Sequence, residues 1–210
     1  MKTFTEPLEG LHEFALIRKD LESGQTPVRV SGCIDVQKSH LISALGEAYP
    51  RKLIITYSET KARQILADYR FFDSRAVYYP AKDLIFYSAD VQSDFIVGQR
   101  MTCINRILSG EPVTVVTVID SLMDKIQKPE QMRRQQLHFT VDEEINLEET
   151  EKRLADAGFE RVSEVETPGQ FAVRGGILDI FNVADENPVR IELWDDTIDS
   201  IRIFDAQTQR

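Results

Sequence analysis

The chain has 210 residues, 42% of them hydrophobic and 29% charged, a balance that suits one large or two small folded domains and excludes disorder as the main state. Its longest apolar stretches, such as Val113 to Ile119, fall far short of the roughly 20 residues that cross a bilayer, and Glu6, Glu9 and Glu13 interrupt the place where a secretory signal needs an apolar core, so a cytoplasmic protein is expected. The net charge of -10 is concentrated late in the chain: residues 141–210 hold 18 of the 35 acids but only 7 of the 25 bases, which argues against a polyanion as the partner of that region.

Short apolar runs alternate with amphipathic ones over the first 125 residues. Val28 to Val30, Leu53 to Tyr57, Ala76 to Tyr79 and Val113 to Val118 read as strands. Between them Leu41, Leu45 and Ala48 repeat at helical spacing, as do Ala62, Ile65, Leu66 and Tyr69, and then Met101, Ile104, Ile107 and Leu108, with Ser109-Gly110 as the stop. Strands joined through helices run parallel, so their C-terminal ends share one edge, the usual place for a ligand. An α/β fold is expected for this part.

The composition turns polar between Gln127 and Gln136, placing a boundary that divides the chain into 1–126 and 127–210. Asn146 followed by Glu149 predicts a capped helix through Ala157, closed by Gly158. The acidic run Asp142 to Glu151 reads as the solvated face of that helix and its entry. Strands are then predicted over Phe171 to Phe181, Val189 to Trp194 and Ile198 to Phe204, separated by turn compositions at Asp185-Glu186-Asn187-Pro188 and Asp195-Asp196-Thr197. This second part is expected to be a small α+β domain with an antiparallel sheet.

Candidate chemistry is sparse. Cys33 and Cys103 are isolated, and His12, His40 and His138 are scattered singly, so neither a disulfide framework nor a metal site is expected. The segment Ser31 to Ser39 approaches a phosphate-binding loop: Gly32, Lys38 and Ser39 fit, but Gln37 stands where the second glycine is required, and a side chain there intrudes on the amides that must wrap the phosphates. Asp120 at the end of the Val113 strand is followed by Ser121 rather than a second carboxylate. No catalytic residues are therefore expected, and Gly32, Gln37, Lys38 and Ser39 read as a degenerate, non-functional loop.

The segment Phe171 to Phe181 with Val189 to Trp194 is the most informative. Alternation points Val189, Ile191 and Leu193 inward and sets Arg190, Glu192 and Trp194 on the opposite face, where Arg and Trp are favoured binding anchors. Arg174 precedes Gly175-Gly176, which either admits a close partner or forms a bulge. Two readings stand side by side: a docking face, or Trp194 capping a small core while Arg190 pairs with Glu192 or Asp196.

These residues carry a resemblance. TPGQFAVRGGILDIF and VRIELWDDTIDSIRIFDAQTQR resemble the UvrA-binding domain shared by UvrB and the bacterial transcription-repair coupling factors (Mfd), and the run from Tyr79 to Asp83, through Gln99-Arg100 to the Val113 strand, resembles the coupling-factor segment before it. UvrB itself should carry an intact loop and a long aromatic hairpin, so the coupling factors are the better match. The resemblance implies a degenerate RecA/helicase-like domain, followed by an adaptor domain that recruits UvrA, with Arg174, Arg190 and Trp194 at the contact and no cofactor of its own; strand geometry alone adds Glu192 and Asp196 as rim charges. It also implies a longer protein whose motor uses ATP and magnesium and whose other parts meet RNA polymerase and DNA, with no membrane involved. If the chain returns from the adaptor to complete the first domain, a fragment ending at Arg210 should leave an apolar edge exposed. The rival expectations are an active nucleotide-dependent UvrB-like subunit or small P-loop ATPase, and a DNA-binding module resting on Arg133-Arg134 and scattered lysines.

Overall fold

The computed structural model describes residues 2–82 and 90–210. The chain forms two compact units, Met1–Lys82 with Cys103–Asp124, and Asp83–Thr102 with Lys125–Arg210. The part of the Tyr79-to-Arg100 resemblance that falls on residues 83–89 lies outside the described residues.

The first unit contains α1 (Lys2–Glu9), α2 (His12–Glu22), α3 (Asp35–Leu45), β1 (Arg51–Thr56), α4 (Glu59–Arg70), β2 (Ala76–Tyr79), the last turns of α5 (Asp90–Leu108) and β3 (Val113–Val118). The sheet order is β1-β3-β2 with every pairing parallel, as the alternation with helices predicts. The central β3, VTVVTV, is buried along its whole length, which is why it reads as a continuous β-branched run instead of an alternating one. Ser58 caps α4 by accepting from the Lys61 amide at 3.3 Å, and the periodic Ala62, Leu66 and Tyr69 pack with Ile54, Ala76, Tyr78, Val116 and Val118. On β1, an outer strand among those described, Leu53 and Ile55 remain exposed.

One expectation fails here: Val28 to Val30 form no strand. A strand requires a neighbour for its backbone groups, and this three-residue run follows Pro27, which lacks an N–H, and is in no ladder. The paired helices α1 and α2 were not anticipated at all.

The second unit adds α6 (Pro129–Gln135), α7 (Leu147–Asp156), β4 (Glu160–Arg161), β5 (Gln170–Arg174), β6 (Ile177–Phe181), β7 (Val189–Trp194) and β8 (Thr197–Ile203), together with the first turns of α5. The sheet order is β4-β5-β6-β7-β8; β4 pairs parallel with β5 and the rest are antiparallel, so the sheet is mixed where an all-antiparallel one was expected. The predicted single strand Phe171 to Phe181 is a hairpin that reverses at Gly175-Gly176. Gly175 adopts φ +58°, a conformation that lets a two-residue connection turn without steric cost, and Arg174 then pairs with Ile177. Asn146 caps α7 through the Glu149 amide at 2.9 Å, and Gly158 follows the helix at φ +93°. Leu154 of α7 packs on Phe171, Leu178, Ile191 and Ile198, with Val189 and Leu193 alongside as alternation predicted. On the other face Val165, Ala172 and Phe181 form a smaller cluster. The chain is thus an α/β protein of two parts, one with a three-stranded parallel sheet and one with a five-stranded mixed sheet.

Candidate functional site

The segment Ser31 to Ser39 lies at the shared C-terminal edge of the first sheet, beside a cleft of 530 Å³ lined by Asp35, Lys38, Ser39 and Ile42 of α3, Ile54 to Tyr57, Lys61 and Ile65 of α4, and Ile119. Gly32 sits at φ +87° before the helix. Lys38 and Ser39 lie within α3, and the Gln37 carboxamide folds back to accept from the Ile34 amide at 3.1 Å, so that donor is taken up within the segment itself. The Asp35 carboxylate takes Lys38 at 3.1 Å and Lys61 more closely still. Its pKa is held below the ordinary carboxylate value by the Lys61 hydrogen bond first and the Lys38 one second. The two lysines of this edge are therefore already engaged by an anion of the protein. Among the described residues no group of His, Cys, Asp and Glu is arranged to hold a metal ion.

The second sheet presents a different constellation. Register aligns Ala172, Asp179, Arg190 and Arg202 in one row across β5 to β8, and Arg174, Ile177, Glu192 and Ser200 in the next. Asp179 is fully buried. Both of its oxygens are chelated by Arg190, Nε at 2.7 Å and Nη2 at 2.8 Å, and Arg174 Nη2 donates to the same carboxylate at 2.8 Å. Arg190 also donates to the Gln209 carbonyl at 3.2 Å and lies 4.3 Å over the Phe204 ring, held by the folded-back C-terminal turn. The Asp179 hydrogen bond pushes its already high pKa further up. Arg174 is more open, with 37% of its side chain exposed, and its Nη1 donates to Glu164 at 3.1 Å.

Trp194 is 82% exposed, which excludes a core-capping role. It directly precedes the Asp195-Asp196 turn, and Arg174 directly precedes Gly175-Gly176; the β5–β6 and β7–β8 hairpins, separated by the antiparallel β6–β7 connection, place both turns at one end of the sheet. The close approach there needs Gly176, where a Cβ would lie 2.8 Å from the Leu193 carbonyl oxygen. Two sequence expectations require correction. Arg190 pairs with Asp179 rather than with Glu192 or Asp196, and at 8% exposure it is buried rather than displayed beside Trp194. Glu192 is instead engaged by Ser200 at 2.8 Å and by Arg202, because these are its cross-strand and diagonal neighbours on β8.

Sequence reasoning missed Asp179, the group on which both arginines converge. Its signal was present: a single acid in the otherwise apolar strand ILDIF, at the alternation position that shares a face with Arg174 and Arg190. What was lacking was the register that pairs it with Arg190.

Residues 137–210 match the family model of the UvrB interaction domain. The chain is 32% identical to the transcription-repair-coupling factor of Bacillus subtilis (strain 168), over 94% of its own length and 17% of that protein. It is 31% identical to that of Staphylococcus aureus (strain USA300), over 89% of its length and 16% of the relative. The chain thus spans less than a fifth of the curated relatives it matches. Among the described residues no helix is long and apolar enough to cross a membrane. The exposed tryptophan and the two-arginine carboxylate therefore lie within the residues that match the UvrB interaction domain model, in a chain similar along nearly its whole length to a stretch of the transcription-repair-coupling factors.

Proposed function

We propose that this chain is a cytoplasmic adaptor module that recruits UvrA, as part of a longer coupling factor that links stalled RNA polymerase to nucleotide excision repair. The observation that carries this reading is Trp194, 82% exposed at the same end of the sheet as Arg174 in a domain of the UvrB interaction family. An indole left in water by the fold is a large apolar surface that a partner can bury, and Trp and Arg dominate binding hot spots. The adaptor contributes an apolar anchor, Trp194, and a charged one, Arg174, while the buried Arg190 holds Asp179 and through it Arg174. The acidity of residues 141–210 suits a protein partner better than DNA.

The module itself performs no reaction and takes no cofactor. Gln37 and Asp35 engage the groups that a nucleotide phosphate would require, and ATP, magnesium, polymerase and DNA belong to other parts of the longer protein. Binding of this chain to immobilised UvrA tests the proposal. Trp194→Ala should lose on the order of 2 kcal/mol, about thirty-fold in Kd, as an anchor at an interface centre does. Arg174→Ala should lose less, and the loss should shrink as salt rises. Undiminished binding by both variants would remove this surface from the contact.

A further inference from the structure

Resting on that reading, we propose that Glu164 is a built-in substitute for the acidic group of UvrA: it occupies the outward face of Arg174 in the free protein and must be displaced when the partner docks.

Arg174 meets two carboxylates of the protein itself, one buried and one at the surface. Its Nη2 donates to Asp179, which is fully buried and chelated through both oxygens by Arg190, so no carboxylate from outside can take the place of Asp179. Its Nη1 faces Glu164 at 3.1 Å, in an ion pair whose acid is 57% exposed. Glu164 belongs to the segment between β4 and β5, held in place next door by the buried Val165, whose carbonyl accepts from Gln209 Nε2 at 3.0 Å. The acid is therefore presented at a fixed position although it contributes nothing to the core. In sequence order Glu164, Arg174, Asp179 and Arg190 form a neutral ladder of two acids and two bases, and an incoming carboxylate exchanges one ion pair for another. The exchange discriminates against weak or poorly placed acids, because only a partner that also covers Trp194 gains more than it breaks.

The test compares UvrA binding by the full chain carrying Glu164→Gln with that of the wild type. The expected result is a gain of about two- to five-fold in affinity, the range an exposed ion pair supplies. Glu166→Gln makes the same charge change two residues away, with no ion pair to any base among the described residues, and should leave affinity unchanged. In an Arg174→Ala background Glu164→Gln should also change nothing, since the group it competes for is gone. Equal or weaker binding by Glu164→Gln, an equal gain from Glu166→Gln, or a gain that persists without Arg174 would each overturn the inference. A wild type whose UvrA binding depends on Trp194 but not on Glu164 overturns this inference alone. A wild type that does not bind UvrA overturns the adaptor reading with it.

Discussion

Replacing Asp179 by asparagine isolates the most consequential charge in the second unit. The substitution keeps the volume of a fully buried side chain and removes the negative charge that accepts three arginine hydrogen bonds at 2.7, 2.8 and 2.8 Å. Arg190 cannot respond by releasing a proton, so its guanidinium, with 10% of its side chain exposed, stays charged and loses its counter-ion. Breaking one side of a buried ion pair costs about 3–5 kcal/mol. Arg174, 37% exposed, is solvated and adds at most about 1 kcal/mol. Asp179→Asn and Arg190→Ala should therefore each destabilise the unit by about 3 kcal/mol, and Arg174→Ala by less than about 1 kcal/mol, because the Asp179–Arg190 chelate survives it. Urea unfolding followed by circular dichroism, with the transition of the second unit assigned by hydrogen exchange at the β6 amides, measures all three. The reasoning is refuted if Asp179→Asn stays within about 1 kcal/mol of wild type, or if Arg174→Ala costs as much as Arg190→Ala. The same ordering makes Arg174→Ala the cleaner variant for binding work, since Arg190→Ala confounds contact with folding.

Gly98 on α5 backs onto the loop after β6 so closely that an added Cβ would press into the Val183 carbonyl oxygen; Gly98→Ala should cost about 1–3 kcal/mol and lower the melting temperature, and an unchanged Tm would contradict this packing. In the first unit burial works to raise the Asp73 pKa, but hydrogen bonds from the Arg75 side chain and backbone and from Thr114 outweigh it and hold it below the ordinary 3.8. A depressed carboxylate stabilises the fold fully above its unfolded value and loses that contribution as pH falls through the lower folded one, so the first unit should weaken below about pH 4 and Asp73→Asn should flatten that acid limb. ATP titrated into the chain by calorimetry should give no binding heat, with Lys38→Ala indistinguishable from wild type; binding abolished by that substitution would restore the nucleotide-dependent reading.

Local patterns were enough to place most elements, because helical and strand periodicities are written in neighbouring residues. The Ala62, Leu66 and Tyr69 face of α4, the continuous β3, the Asn146 cap and the inward Ile191 all follow from spacing alone. Alternation along β7 also set Trp194 on the face away from Ile191, but left open whether it was exposed or capped a small core. Long-range pairing decided the rest. Val28 to Val30 has the composition of a strand but finds no neighbour to complete its hydrogen bonds, and Phe171 to Phe181 has the apolar length of one strand but reverses at Gly175. Asp179 lies eleven positions from Arg190 in sequence, and only strand register brings them face to face and turns a displayed arginine into a buried one. Residue order therefore determined which side chains could share a face. Which of them touch was left to tertiary structure, because a charge settles wherever the folded neighbours best replace its lost water.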